Sequence, residues 1–235
     1  MIESDVIVSH KLIEGKDLIG KTVIVIDTLR ASTVMITALA NQAKSIRCVL
    51  EPEEALKYKA ENPEIILGGE RHALKIDGFD HSNSPLEYSQ ELVAGKNLMM
   101  TTSNGTRTLL KSETAETILI GCLRNAKAVI HHALSLKKDI ILMNAGTDGE
   151  FTLDDFITAG AMLHEIKDEV QMSDQALSAL LIYEAHPDIH SALSDSLHYR
   201  RLKGLGLTAD LDYCLQKNTT DVIGIMAAGL IKKLC

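Results

Sequence analysis

Residues 21–28, KTVIVIDT, form a near-continuous β-branched run that ends beside an aspartate. A strand with no polar alternation is covered on both faces, so helices must lie above and below the sheet that holds it. Residues 45–50, 64–68, 97–102, 116–122, 139–144 and 220–226 read as further strands. Between them, residues 32–41, 52–60, 85–94, 106–111, 125–136 and 153–169 carry helical patterns. From residue 153 to about residue 215 the chain reads as mainly helical. This alternation predicts an α/β fold, a three-layer α/β/α sandwich with a largely parallel or mixed sheet. Strand, polar loop and helix recur at 27–32, 102–106 and 144–152, which suggests two similar halves with a boundary near residue 115. No fixed period supports a true repeat. Residues 1–235 are therefore read as one compact domain.

Lys and Arg total 24 against 32 Asp and Glu, a net charge of -8, which argues against nucleic acid as a partner. Aromatic residues are only 3%, so stacking on bases is not the expected recognition device. Hydrophobic residues at 46% with charged residues at 24% exclude a disordered chain. An anionic small substrate stays open, because a few arginines in one cleft outweigh the distant field. The longest apolar stretch, residues 223–231, is about half the length a membrane span needs, so no membrane partner is expected. The opening MIESDVIVSHK is acidic where a signal peptide is basic. Cys48, Cys122, Cys214 and Cys235 lie far apart with no metal spacing, as expected for reduced thiols in a cytoplasmic protein. A homodimer is expected on base rates for soluble enzymes.

In open α/β sheets, ligands bind beyond the carboxyl ends of the strands, which directs attention to three strand–helix junctions. The first, IDTLRAST (26–33), holds Asp27, Arg30, Ser32 and Thr33 at a helix start, where backbone N–H groups and a guanidinium can grip an anion. The bland reading is a Ser32 cap and a turn aspartate. The second, TTSNGTRTLL (101–110), surrounds Gly105 with Ser103, Asn104, Thr106 and Arg107, a loop able to close around an oxyanion. An Asn-Gly turn is the alternative. The third, NAGTDGEFTLDDFITAG (144–160), places Asp154 and Asp155 in the first turn of a long helix. The helix dipole alone favours acids there. A hard divalent cation also wants such oxygens, and Asp27 can complete its site. Adjacent helical residues point roughly 100° apart, so one of the pair is expected to bind directly.

A fourth region, residues 67–88, gathers Glu70, Arg71, Lys75 and Asn83 into what reads as one long polar loop. His186, His190 and His198 have helical spacing, but with no Cys and no HExxH motif zinc is not expected. GxGxxG, a P-loop and a GxSxG elbow are absent, and Leu29 stands where a DxDx[TV] phosphatase needs its second Asp.

Taken together and in order, IDTLRAST, GGERHALKIDGFDHSNSP, TTSNGTR and the Gly…LDD…AG segment resemble the 2-phosphosulfolactate phosphatase family. The C-terminal LHYRRLKGLGLTADLDYCLQ is similar to that family too, so the likeness runs over essentially the whole chain. It departs at Asn144, where the family often has Cys or Pro, and at Asp154-Asp155, where Glu-Asp is more usual. The resemblance implies a Mg²⁺-dependent hydrolysis of 2-phospho-3-sulfolactate to 3-sulfolactate in coenzyme M biosynthesis. It implies Asp27, Arg30 and Arg107 as catalytic groups and Asp27, Glu70 and Asp154 or Asp155 as metal ligands. Ser32, Thr33, Asn83, Ser103, Asn104, Gly105 and Thr106 would bind substrate, with Arg71 or Lys75 at its sulfonate or carboxylate end. The rival from another class is a non-catalytic binding protein or sensor for a small organic anion. Such a binder gains nothing from carboxylates beside its ligand, which favours the enzyme.

Overall fold

The computed structural model describes residues 1–13 and 18–234, so Cys235 lies outside the described residues. In chain order the strands are β1 (Ile2–Ile7), β2 (Thr22–Ile26), β3 (Ser45–Cys48), β4 (Ile66–Arg71), β5 (Leu74–Lys75), β6 (Asn97–Thr101), β7 (Thr117–Gly121), β8 (Ile140–Asn144), β9 (Val170–Met172), β10 (Gly224–Ala227) and β11 (Leu230–Lys233). The helices are α1 (Ala31–Ala40), α2 (Pro52–Glu61), α3 (Gln90–Val93), α4 (Gly105–Lys111), α5 (Ala126–Ser135), α6 (Leu153–Glu165), α7 (Asp174–Ala185), α8 (Ile189–Leu193), α9 (Leu197–Gly204) and α10 (Thr208–Cys214).

The strands form one mixed sheet in the order β5-β4-β6-β3-β11-β10-β7-β2-β8-β1-β9. Two parallel blocks, β4-β6-β3 and β7-β2-β8-β1-β9, are joined by the antiparallel hairpin β10–β11. The blocks interleave the chain, since β1 and β2 precede residue 115 yet lie among β7, β8 and β9.

Side chains of β2 alternate strictly between two apolar layers. Val23 and Val25 pack with α1 residues Val34, Met35 and Ala38. Ile24 and Ile26 pack with Val129 and Ile130 of α5 and with Ala159 and Met162 of α6. The same period of two divides β8, with Ile141 and Met143 on one side and Ile140 and Leu142 on the other. This is the three-layer α/β/α arrangement that the β-branched run demands, and every residue of β2 is buried.

Several elements depart from the sequence-based expectation. Strands β1, β9 and β11 were not anticipated, and the final predicted strand begins only at Gly224. The helix expected over 85–94 is a 3-10 turn, Pro85–Glu87, followed by α3, because Ser89 adopts an extended conformation between them. The helix begun at residue 153 stops at Glu165, at the C-cap residue Ile166. The supposed long loop 67–88 opens instead as the β4–β5 hairpin, with Arg71 paired to Leu74 across it. Its turn residues His72 and Ala73 both have positive φ, as a two-residue hairpin turn of type I′ requires.

After β9 the chain makes a helical excursion that returns to the sheet's carboxyl end. Tyr199 and Leu202 of α9, with Leu211 and Cys214 of α10, pack on Leu29 beyond β2 and on Ile157 and Ala161 of α6. That apolar contact carries α9 over the loops that follow β2 and β8. Among the described residues no helix is long and apolar enough to cross a membrane.

Candidate active site

One cavity collects the carboxyl-end loops of both parallel blocks. Its walls include Asp27 beyond β2, Glu70 of β4, Ser103 and Asn104 beyond β6, Gly146 and Asp155 beyond β8, and His198 and Arg201 of α9. Arg30 and Asn83 line it as well.

Its carboxylates double as ties between loops. Asp155 Oδ1 accepts the Thr28 N–H at 2.9 Å and its Oδ2 accepts the Gly146 N–H at 2.9 Å, binding the first junction to the third. Glu70 accepts the Ser103 N–H at 2.8 Å and the Ala73 N–H at 2.7 Å, binding the hairpin turn to the second junction. Asp27 Oδ1 accepts the Ala31 N–H at 3.0 Å, while its Oδ2 accepts no hydrogen bond among the described residues. Gly105 crowds that oxygen closely enough that a Cβ there would lie 2.6 Å from it, so a larger residue would displace the carboxylate.

These acids sit where charge is costly. Burial pushes the Asp27 carboxyl up to about 6; the charges of Asp154 and Glu70 add to the rise, while the Ala31 amide and His198 oppose it. Asp155 is raised well above the ordinary carboxylate range, by burial first and then by Asp154 and Asp27. Asp154 does not itself line the cavity; its Oδ2 lies 3.4 Å from Nδ1 of His198, which does. Burial lowers the His198 pKa, but Asp154 and Asp27 outweigh it, so the imidazole holds its proton above its ordinary value.

Arg30 is buried against Asp210 of α10, with Nη1 donating to Oδ2 at 2.5 Å, and Nη2 donates to the Ala73 carbonyl at 2.9 Å. Ser84 donates to the other Asp210 oxygen at 2.6 Å. The Arg30 charge is therefore balanced before any ligand arrives.

A dianionic ester would meet Asp27, Glu70, Asp155 and Asp148 in this cavity, opposed by Arg30 and His198, each already beside an acid, and by Arg201. Coulomb repulsion makes that unfavourable without a further cation. Among the described residues no three His, Cys, Asp or Glu side chains stand in ready-made metal geometry. Mg²⁺, however, is typically held by one or two carboxylates, waters and the substrate's own phosphate. The free Oδ2 of Asp27 and the strained ionisation of Asp155 fit such a partial site.

A family model described as 2-phosphosulpholactate phosphatase matches residues 7–229. The chain belongs to this family. It is 44% identical over 222 residues to "Probable 2-phosphosulfolactate phosphatase" of Clostridium novyi (strain NT), covering 93% of this chain and 94% of that protein. Against the protein of the same name from Clostridium tetani (strain Massachusetts / E88) the identity is 46% over 231 residues, covering 97% and 99%. Family membership places the chain among phosphoric monoester hydrolases.

Of the family residues carried over from the sequence, Asp27, Arg30, Glu70, Asn83, Ser103, Asn104 and Asp155 line the one cavity. Others stand elsewhere. The Ser32 hydroxyl donates to the Asp27 carbonyl and accepts the Asp27 N–H, and Thr33 donates to the Thr28 carbonyl. Thr106 and Thr102 exchange hydrogen bonds across their own turn. These four hydroxyls shape loops, as short polar side chains do where backbone groups lack partners. Arg71 is consumed by the Leu50 and Glu70 carbonyls and by Thr101 Oγ1, because neighbours on a strand point to opposite faces and Glu70 takes the cavity side. Lys75 is exposed on β5 at the sheet edge. Arg107 lies outside the cavity in an adjoining recess with His10, Lys11 and Arg71.

Sequence reasoning missed Asp210, Arg201 and Ser84, and gave His198 no role. His186 and His190, grouped with it by spacing, are separated from it: His186 bonds the Ile182 carbonyl at the end of α7, and His190 packs edge-on to Tyr199.

Proposed function

We propose that this chain hydrolyses 2-phospho-3-sulfolactate to 3-sulfolactate and inorganic phosphate with Mg²⁺, in the cytoplasm, as a step of coenzyme M biosynthesis. The observation that carries this reading is the meeting of Asp27, Glu70 and Asp155 with Arg30 in one cavity at the carboxyl ends of the strands. Asp27 and Asp155 would hold the metal, with Glu70 as a third ligand. When bound, Mg²⁺ neutralises the acids and polarises a phosphoryl oxygen.

The chain's own groups supply the rest. Arg30, fixed by Asp210, presents its remaining N–H donors to the non-bridging oxygens as charge redistributes. Asp155 ties the first junction to the third and Glu70 ties the hairpin turn to the second, so the ester meets preorganised groups. His198, with Nδ1 toward Asp154, can hold a proton on Nε2 for the departing C2 oxygen. Attack comes either from water, with Asp27 holding the metal, or from a carboxylate, in which case the free Oδ2 of Asp27 is the nucleophile and the metal would rest on Asp155 and Glu70.

The test is phosphate release across a panel of phosphorylated sulfonates and hydroxy acids. Release from 2-phospho-3-sulfolactate should stop with EDTA and return with Mg²⁺. Full turnover in a metal-free preparation would overturn the metal assignment. Trapping a phosphoenzyme, or finding direct transfer of ¹⁸O from water to phosphate without one, separates the two modes of attack.

A further inference from the structure

The substrate proposed above carries a sulfonate on C3, one bond further from the ester oxygen than the carboxylate on C2. A sulfonate is fully ionised, and its oxygens match the fork of a guanidinium as carboxylate and phosphate do. The family resemblance implies Arg71 or Lys75 at this end of the substrate, but the first is tied to backbone carbonyls and the second sits on an exposed strand edge.

Two guanidinium groups line the cavity, and they differ in kind. Arg30 is buried and balanced by Asp210. Arg201 is exposed, and its guanidinium makes no hydrogen bond or ion pair among the described residues. The two are therefore suited to different ends of a ligand, the buried one to the reacting phosphate and the exposed one to a group at the mouth.

Helix α9 fixes Arg201 there. His198, Arg201 and Leu202 are three and four residues apart, share one helix face and all line the cavity. Leu202 is buried against the apolar cluster that also holds Leu29 and Ile157, so the helix cannot turn away without exposing it. The charge of Arg201 acts on His198, which places both groups within electrostatic reach.

We infer that Arg201 receives the C3 sulfonate and sets the preference of this enzyme for a sulfonated over an unsulfonated phosphoester. This rests on the function proposed above. With phosphate at the buried acids and C3 toward the opening, the exposed guanidinium is the unpaired one lining this cavity for the outermost anion.

The experiment compares kcat and KM of wild type, Arg201→Ala and Arg201→Lys on 2-phospho-3-sulfolactate and on 2-phospholactate, the same ester without its sulfonate, with Mg²⁺ present. A charge-assisted contact of this kind is worth about 10- to 100-fold. Arg201→Ala should lose that factor on the sulfonated ester, chiefly through KM, and the preference between the two esters should collapse. Arg201→Lys, a point charge without the fork, should lose less. Equal losses on both esters, or none on the sulfonated one, would overturn the inference while leaving the phosphatase reading intact. A wild type that releases phosphate from neither ester would overturn both. Unchanged thermal denaturation of the exposed-residue variants separates these outcomes from misfolding.

Discussion

Replacing Asp27 by Asn removes a buried charge while keeping an oxygen that can accept from the Ala31 N–H. Asp27 titrates at about 6 in the folded chain against 3.8 ordinarily, a rise caused mainly by burial. Each pKa unit corresponds to about 1.4 kcal/mol, so the ionised side chain costs the metal-free fold about 3 kcal/mol. The sign follows from the direction of the shift. Below the unfolded pKa the acid is protonated in both states and contributes nothing. As pH rises from about 4 to about 6, the unfolded chain ionises first and the folded state loses ground. Above the folded pKa the whole penalty is present. In EDTA, urea denaturation should therefore find Asp27→Asn close to wild type at pH 4 and more stable by about 3 kcal/mol at pH 8. Mg²⁺ should reverse the order, raising wild type by about 2.7 kcal/mol at a hundredfold excess over Kd and the variant little. Phosphate release should be lost in the variant throughout. A stability difference that does not change between pH 4 and pH 8 would refute the claim that Asp27 is a desolvated, unneutralised acid.

Asp210→Asn leaves the buried Arg30 guanidinium without its counter-charge, which should cost about 3–5 kcal/mol in urea denaturation; a loss below 1 kcal/mol would mean that Arg30 finds another anion. His198→Gln should lower kcat about 10²- to 10³-fold on the alkyl phosphoester, and much less on an aryl phosphate whose leaving group needs no proton. Equal losses on both substrates would remove His198 from leaving-group protonation.

What the sequence displayed was what local chemistry controls. The β-branched run of β2 must be covered twice, and polar residues packed at strand ends must face a ligand or each other. From those two facts Asp27, Arg30, Glu70, Ser103, Asn104 and Asp155 come out together. Two hairpins hid from the same reading because their turns carry weak signals. The β4–β5 turn uses His72 and Ala73, and the β10–β11 turn uses Ala228 and Gly229, all with positive φ. Only Gly229 takes that conformation at no steric cost, so three of the four positions gave no warning. Once 67–88 is read as a loop, the alternation that separates Glu70 from Arg71 vanishes, and Arg71 looks available. Arg201, His198 and Asp210 were illegible for a different reason. They sit on short helices whose own pattern fixes which side is apolar but not what that side meets. Their place depends on Tyr199, Leu202 and Leu211 finding Leu29 and Ile157, contacts made between residues far apart in the chain.

The arrangement also explains why Asp27, Glu70 and Asp155 are not equivalent. Glu70 and Asp155 each hold two backbone N–H groups from different loops, so removing either disturbs the scaffold as well as the charge. Asp27 keeps one oxygen free of any such duty, with Gly105 leaving just enough room for it. A carboxylate oxygen that faces a cavity of like charges with no protein donor is unfavourable in the folded chain alone. The apolar layers on both faces of the sheet can bear that local cost, and a bound cation would turn it into affinity. For this reason the Asp27 variant, rather than Asp155 or Glu70, isolates electrostatics from architecture: its stability should rise as its activity falls, a combination that no purely structural role for Asp27 produces.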